Sequence, residues 1–156
     1  MIPVELAVSR HIPVCPTNGR PGRLVGRITV QSLINHPEVE LREAHFRLCL
    51  DPSCPTVYYS EDGLQLFGEQ DLSELLFQKH TLDDDQLICY CFRYKTGDIR
   101  RQIQSNGKTE IPATISKEVR AGKCECEIRN PQGSCCLGNV RMLVNDIQAK
   151  DQSHDQ

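Results

Sequence analysis

The placement of nine cysteines constrains this 156-residue chain more than any other feature. Cys15, Cys49 and Cys54 lie in the first third, and none falls between Cys54 and Cys89. The second half holds Cys89-Tyr90-Cys91, Cys124-Glu125-Cys126 and the adjacent pair Cys135-Cys136. Two groups, each large enough to satisfy a metal, imply two metal sites. A disulfide framework is the competing solution, and it needs an oxidising compartment. Residues 1–16 show no basic region followed by an apolar core that would direct a chain there. The expected location is therefore cytoplasmic, where clustered cysteines serve as metal ligands or redox groups. Their odd number also disfavours complete pairing.

With 38% hydrophobic and 5% aromatic residues and no tryptophan, the cores should be modest, and small cores are commonly stapled by metals. The net charge of −3 argues against nucleic acid, which leaves a basic footprint. Arg20, Arg23 and Arg27 read as a solvated face. No run approaches the roughly 20 apolar residues of a membrane span. No Gly-rich phosphate loop, Ser/His/Asp arrangement or carboxylate pair stands at a readable spacing. The chain is thus expected not to be an enzyme and to take no small-molecule substrate.

The expected fold class is α+β. A small antiparallel β region spans residues 1–67, a linker 68–85, a helix-turn-helix region 86–148 and a polar, disordered tail 149–156. Strands are read at 24–30, 45–50 and 56–60, with a helical turn at 31–35. Glu61-Asp62-Gly63 turns the chain back through 64–67. Leu72, Leu75 and Leu76 suggest a short helix in the linker, and Asp83-Asp84-Asp85 a solvated end to it. Thr96 caps a helix with Ile99 and Ile103 on one face, stopped at Asn106-Gly107. Thr109 caps a second with Ile111, Ile115 and Val119, closed by Gly122. A third starts near Asn139, with Val140, Leu143, Val144 and Ile147 in phase. His36, His80 and His154 are read as solvent-exposed. Tyr58, Tyr59 and residues 64–67 fit either core packing or a binding surface.

Leu50-Asp51-Pro52-Ser53 has tight-turn composition and would present Cys49 and Cys54 together, with Cys15 arriving from the N-terminal arm. Three thiolates favour zinc over hard cations. In the second half, a 2Fe–2S cluster takes four thiolates. Cys89 and Cys91 would serve one iron, and two of Cys124, Cys126, Cys135 and Cys136 the other. A four-thiolate zinc is the rival, although zinc sites usually use longer spacings. A strained disulfide between Cys135 and Cys136 is a third possibility.

The run Ile88-Cys89-Tyr90-Cys91-Phe92 through Thr96, Ile99 and Ile103, continued by Ala121-Gly122-Lys123-Cys124, resembles the 2Fe–2S domain of bacterioferritin-associated ferredoxins. Glu127 stands where their fourth cysteine falls. The segment 130–136, Asn-Pro-Gln-Gly-Ser-Cys-Cys, resembles instead the N-terminal domain of CopZ-type copper chaperones. Cys15-Pro16, Cys49, Cys54 and Val57-Tyr58-Tyr59 are similar to the mononuclear zinc region of that domain. The likeness covers about residues 13–140. It implies a soluble zinc and 2Fe–2S protein, an electron-transfer or redox module in metal-ion (copper) handling, with a redox or metal-handling protein as partner. It also anchors the cysteine–loop–vicinal-pair segment, which selects Cys126 and Cys136 to join Cys89 and Cys91. Two departures stand out. Family members can start Cys-Pro-x-Cys, whereas this chain has Asn18, leaving Asp51, His11, His45, Asn18 or water as the fourth zinc ligand. A Met-x-Cys-x-x-Cys copper domain is missing from the sequence. A structural zinc adaptor without redox activity is the alternative function.

Overall fold

Four short strands, β1 (Arg23–Val25), β2 (Phe46–Leu48), β3 (Thr56–Ser60) and β4 (Leu66–Gly68), pair antiparallel in that order. The computed structural model describes residues 13–154, and side chains up to 150. Val25 faces Phe46, Leu48 faces Tyr58 and Tyr58 faces Phe67 across the ladder. All five residues of β3 are buried. Val57 and Tyr58 pack into the main core of this half, while Tyr59 packs with Cys15, Cys49 and Cys54. The strand is thus the wall between an apolar core and a cysteine cluster, which assigns the tyrosines to packing.

The strand expected over 24–30 ends at Val25. Gly26 is extended (φ −69°, ψ 146°) and leads into α1 (Arg27–Leu33). The reason is a change of period: Thr29, Val30 and Leu33 are the buried residues of this segment, at helical spacing. The linker expectation also gives way. Within 68–85, Leu72 and Leu76 enter the first core and Phe77 the second. Two 3-10 turns, Glu69–Asp71 and Phe77–Lys79, carry them. Asn35 N donates to Asp71 O and Ser73 N to Leu33 O, pinning the segment to the end of α1. His36 and His80, read as exposed, are half-buried and paired with Asp71 at 3.0 Å and Glu69 at 2.6 Å. The side chain of His154 lies outside the described ones.

The second half opens with a hairpin, β5 (Leu87–Cys89) and β6 (Tyr94–Lys95), and runs into α2 (Thr96–Asn106) and α3 (Ile111–Arg120). Gly107 and Gly122 stop these helices at φ 77° and 76°. The N-cap of α3 is Glu110 rather than Thr109, which stands one residue before it and accepts the first helical N–H, that of Ile111, on Oγ1. Thr96 is instead the first helical residue. Asp98 accepts Lys95 N–H, and the Thr96 hydroxyl donates to Asp83 O. The acidic run is thereby tied to the start of α2, with Asp84 paired to Arg100 at 3.0 Å. A single turn, α4 (Cys126–Arg129), packs on α1, and α5 (Leu137–His154) packs on α2, α3 and β5. Residues 149–154, expected as disordered, continue α5. Ile88, Ile99, Ile103, Ile111, Ile115 and Val140 fill the second core. No helix among the described residues is long and apolar enough to cross a membrane.

Candidate metal centres

The first centre is built from two turns. Cys15 N–H donates to Arg20 O and Gly19 N–H to Cys15 O, closing residues 15–20 into a knuckle with Gly19 at φ 74°. Opposite, Cys49 follows β2 and Cys54 precedes β3, as the turn composition predicts. Asp51 Oδ1 accepts the Ser53 N–H and hydroxyl, which fixes this turn. The three Sγ atoms lie within 4.8 Å of one another and all three residues are buried. Cys15 and Cys54 are 4.0 Å apart. A tetrahedral zinc with Zn–S bonds of ~2.3 Å sets neighbouring sulfurs roughly 3.8 Å apart, so the cradle fits that ion.

The thiols perturb one another as such a cradle should. Burial pushes Cys49 up to about 11. Burial also works against the Cys15 thiolate, but the Asn18 and Thr17 N–H groups and the neighbouring thiols more than offset it, and Cys15 is lowered. Three like charges cannot gather here without a counter-ion, and a divalent cation supplies one.

The fourth corner is polar. Asn18 donates from Nδ2 to Cys49 Sγ at 3.3 Å and to Asp51 Oδ2 at 3.3 Å, while its Oδ1 accepts Arg20 N–H. Asp51 is held ionised by the Ser53 N–H and hydroxyl, with Arg20 and Asn18 assisting, and lies outside the group of mutually close donors. His45 is exposed and precedes β2, whereas Cys49 follows it. The three residues of β2 lie between them, and four extended rises set them roughly 13 Å apart, so His45 is no ligand. His11 lies outside the described residues.

The second centre has a different shape. Cys91 and Cys126 Sγ are 3.5 Å apart. Cys89 lies beside Cys136, and each thiol perturbs the other. The Cys136 thiol, with N–H groups of Phe92, Cys91 and Tyr94, brings Cys89 down to about 7 against its burial. Cys136 is pushed up by Cys89 and by burial, and Cys126 by burial and then Cys91. Glu125 N–H donates to Cys91 Sγ at 3.1 Å. The Sγ contact at 3.5 Å therefore joins Cys91 to a cysteine beyond the two helices rather than to Cys89. The chain turns sharply here, with Arg93 at φ 64° and Tyr90 buried by hydrogen bonds to Leu75 O and Gln86. Cys124 is half-buried and Cys135 exposed, and both stand outside the two pairs.

Three residues support this arrangement through partners that the sequence does not reveal. The buried Lys79 ammonium donates to Asp51 O at 2.6 Å and Cys54 O at 2.8 Å. Tyr58 Oη donates to Pro131 O at 2.5 Å. Gln132 Nε2 donates to Ser134 O and Cys135 O. Each depends on a partner distant in sequence or on a loop conformation that composition does not specify.

Residues 12–73 match the zf_CopZ family model, a zinc binding domain. Among solved structures, the chain is similar to the N-terminal domain of Archaeoglobus fulgidus CopZ. The TM-score is 0.64 at 24% identity, covering 83% of this chain and 96% of that one. Comparison with curated proteins gave no match. The resemblance to CopZ-type N-terminal domains thus holds by family for residues 12–73 and by fold for most of the chain.

Proposed function

We propose that the chain is a metal-handling redox module that holds a structural zinc at Cys15, Cys49 and Cys54 and a 2Fe–2S cluster at Cys89, Cys91, Cys126 and Cys136. The observation that carries the second assignment is the Cys91–Cys126 Sγ contact at 3.5 Å, and the mutual influence of Cys89 and Cys136 supports a second pair beside it. A single zinc would need them gathered around one point. Among the described residues, the one set of three or more such donors mutually within 4.8 Å is Cys15, Cys49 and Cys54. Two pairs suit two irons. The pairing favours Cys91 with Cys126 and Cys89 with Cys136 on each iron, in place of the Cys89–Cys91 grouping. Bound there, the cluster would supply a one-electron couple, and the Glu125 N–H on Cys91 Sγ would tune its potential.

Cys136 is buried with its thiol pushed up, the opposite of what a reactive thiol–disulfide nucleophile needs. The CopZ likeness supports metal-ion handling, with a redox or metal-handling protein as partner. Anaerobic reconstitution followed by visible absorption and iron, sulfide and zinc analysis is the test. Two irons, two sulfides and one zinc per chain are expected. A colourless protein that takes up zinc alone would replace this proposal with the structural adaptor.

A further inference from the structure

We propose that Gln132 is a positioning residue that couples the two metal centres, so that each centre tightens the other. The inference rests on the zinc and 2Fe–2S assignments above. Gln132 is buried and uses all its hydrogen-bonding capacity. Its Nε2 donates to Ser134 O at 3.2 Å and Cys135 O at 3.1 Å, fixing the backbone that presents Cys136. Its Oε1 accepts from Gln78 Nε2 at 2.5 Å and Asn139 Nδ2 at 2.8 Å.

Gln78 and Lys79 are neighbours in one 3-10 turn. From that turn Lys79 reaches the carbonyls of Asp51 and Cys54 in the zinc loop. A second strut runs from the other end of the same loop. Cys49 N–H donates to Val57 O, and the next residue, Tyr58, donates to Pro131 O. Both ends of the Cys49–Cys54 turn are therefore bonded, through buried and half-buried groups, to the 130–136 loop. Ordering one loop lowers the cost of ordering the other, which is a coupling free energy and is reciprocal.

The experiment uses the full chain. The chelator concentration that removes half the zinc is measured for the cluster-loaded and iron-free forms of wild type and of Gln132→Glu. That substitution keeps the side-chain volume and both acceptor contacts but cannot donate to Ser134 O and Cys135 O. Lys79→Met and far-UV circular dichroism serve as second variant and folding check. In wild type, cluster assembly is expected to raise the midpoint at least about fivefold. Gln132→Glu and Lys79→Met should lose most of that difference while their secondary structure is unchanged. Identical midpoints in the two wild-type forms, or a difference that persists in both variants, would overturn the proposal. Failure of the cluster assignment looks different, because no variant then takes up iron. In that case there is no second centre to couple, and the proposal falls with the cluster assignment.

Discussion

The side-chain amide of Asn18 donates to Cys49 Sγ at 3.3 Å, at the corner where a fourth thiolate would complete the zinc cradle. Its knuckle is already closed by Gly19 and Arg20, so the backbone needs no rearrangement to present a thiol. Asn18→Cys should therefore bind zinc more tightly than wild type in a chelator competition. Cys49→Ser should bind it more weakly and melt at a lower temperature. Full zinc content and unchanged stability in Cys49→Ser would remove this residue from the site.

Lys79 serves the same turn from below. Lys79→Met keeps the buried stem but removes the ammonium donor from Cys54 O and leaves Asp51 O with the Cys54 N–H alone. A loss of about 1–3 kcal/mol in denaturant unfolding of the zinc-loaded chain is expected. A loss under ~0.5 kcal/mol would mean that solvent replaces the ammonium at no cost.

Gly133 holds the cluster loop against the first core. Its φ is 75°, and a Cβ there would lie 2.7 Å from Thr29 Oγ1. Gly133→Ala should cost about 1–3 kcal/mol and impair cluster assembly more than zinc binding. Equal impairment of both would point to general unfolding.

Single Cys→Ser variants separate ligands from bystanders. Visible absorption should be lost in Cys126→Ser and Cys136→Ser and kept in Cys124→Ser and Cys135→Ser. Loss in Cys124→Ser with retention in Cys126→Ser would reverse the choice.

Asp62 organises the β3–β4 hairpin. The Ser60 hydroxyl, Arg42 and Leu64 N–H bring its carboxyl down to about 2 from the model-compound value of 3.8. A lowered acid pKa means that the folded state binds its proton less readily than the unfolded one. The stabilisation is present above 3.8 and is lost as pH falls through about 2. Wild type should melt above Asp62→Asn at pH 6, and the gap should close between pH 4 and pH 2. A gap that stays constant would show that the carboxylate charge adds nothing.

What the sequence determined was local. Gly107 and Gly122 bound two helices because only a left-handed residue closes them there, and Ile99, Ile103, Ile111 and Ile115 mark their inner faces by period. The tight turn between Cys49 and Cys54 and the Glu61-Asp62-Gly63 hairpin were readable for the same reason. The tertiary structure decided which groups meet. Residues 68–85 read as a linker because the backbone bonds pinning them to Leu33 and Asn35 leave no trace in composition. Cys126 and Cys136 face Cys91 and Cys89 because α4 packs on α1 and Tyr58 holds Pro131. Those contacts span more than thirty residues, and no periodicity or spacing encodes them. Period, caps and turn chemistry act over a few residues, whereas a metal site is assembled by whatever the cores bring together.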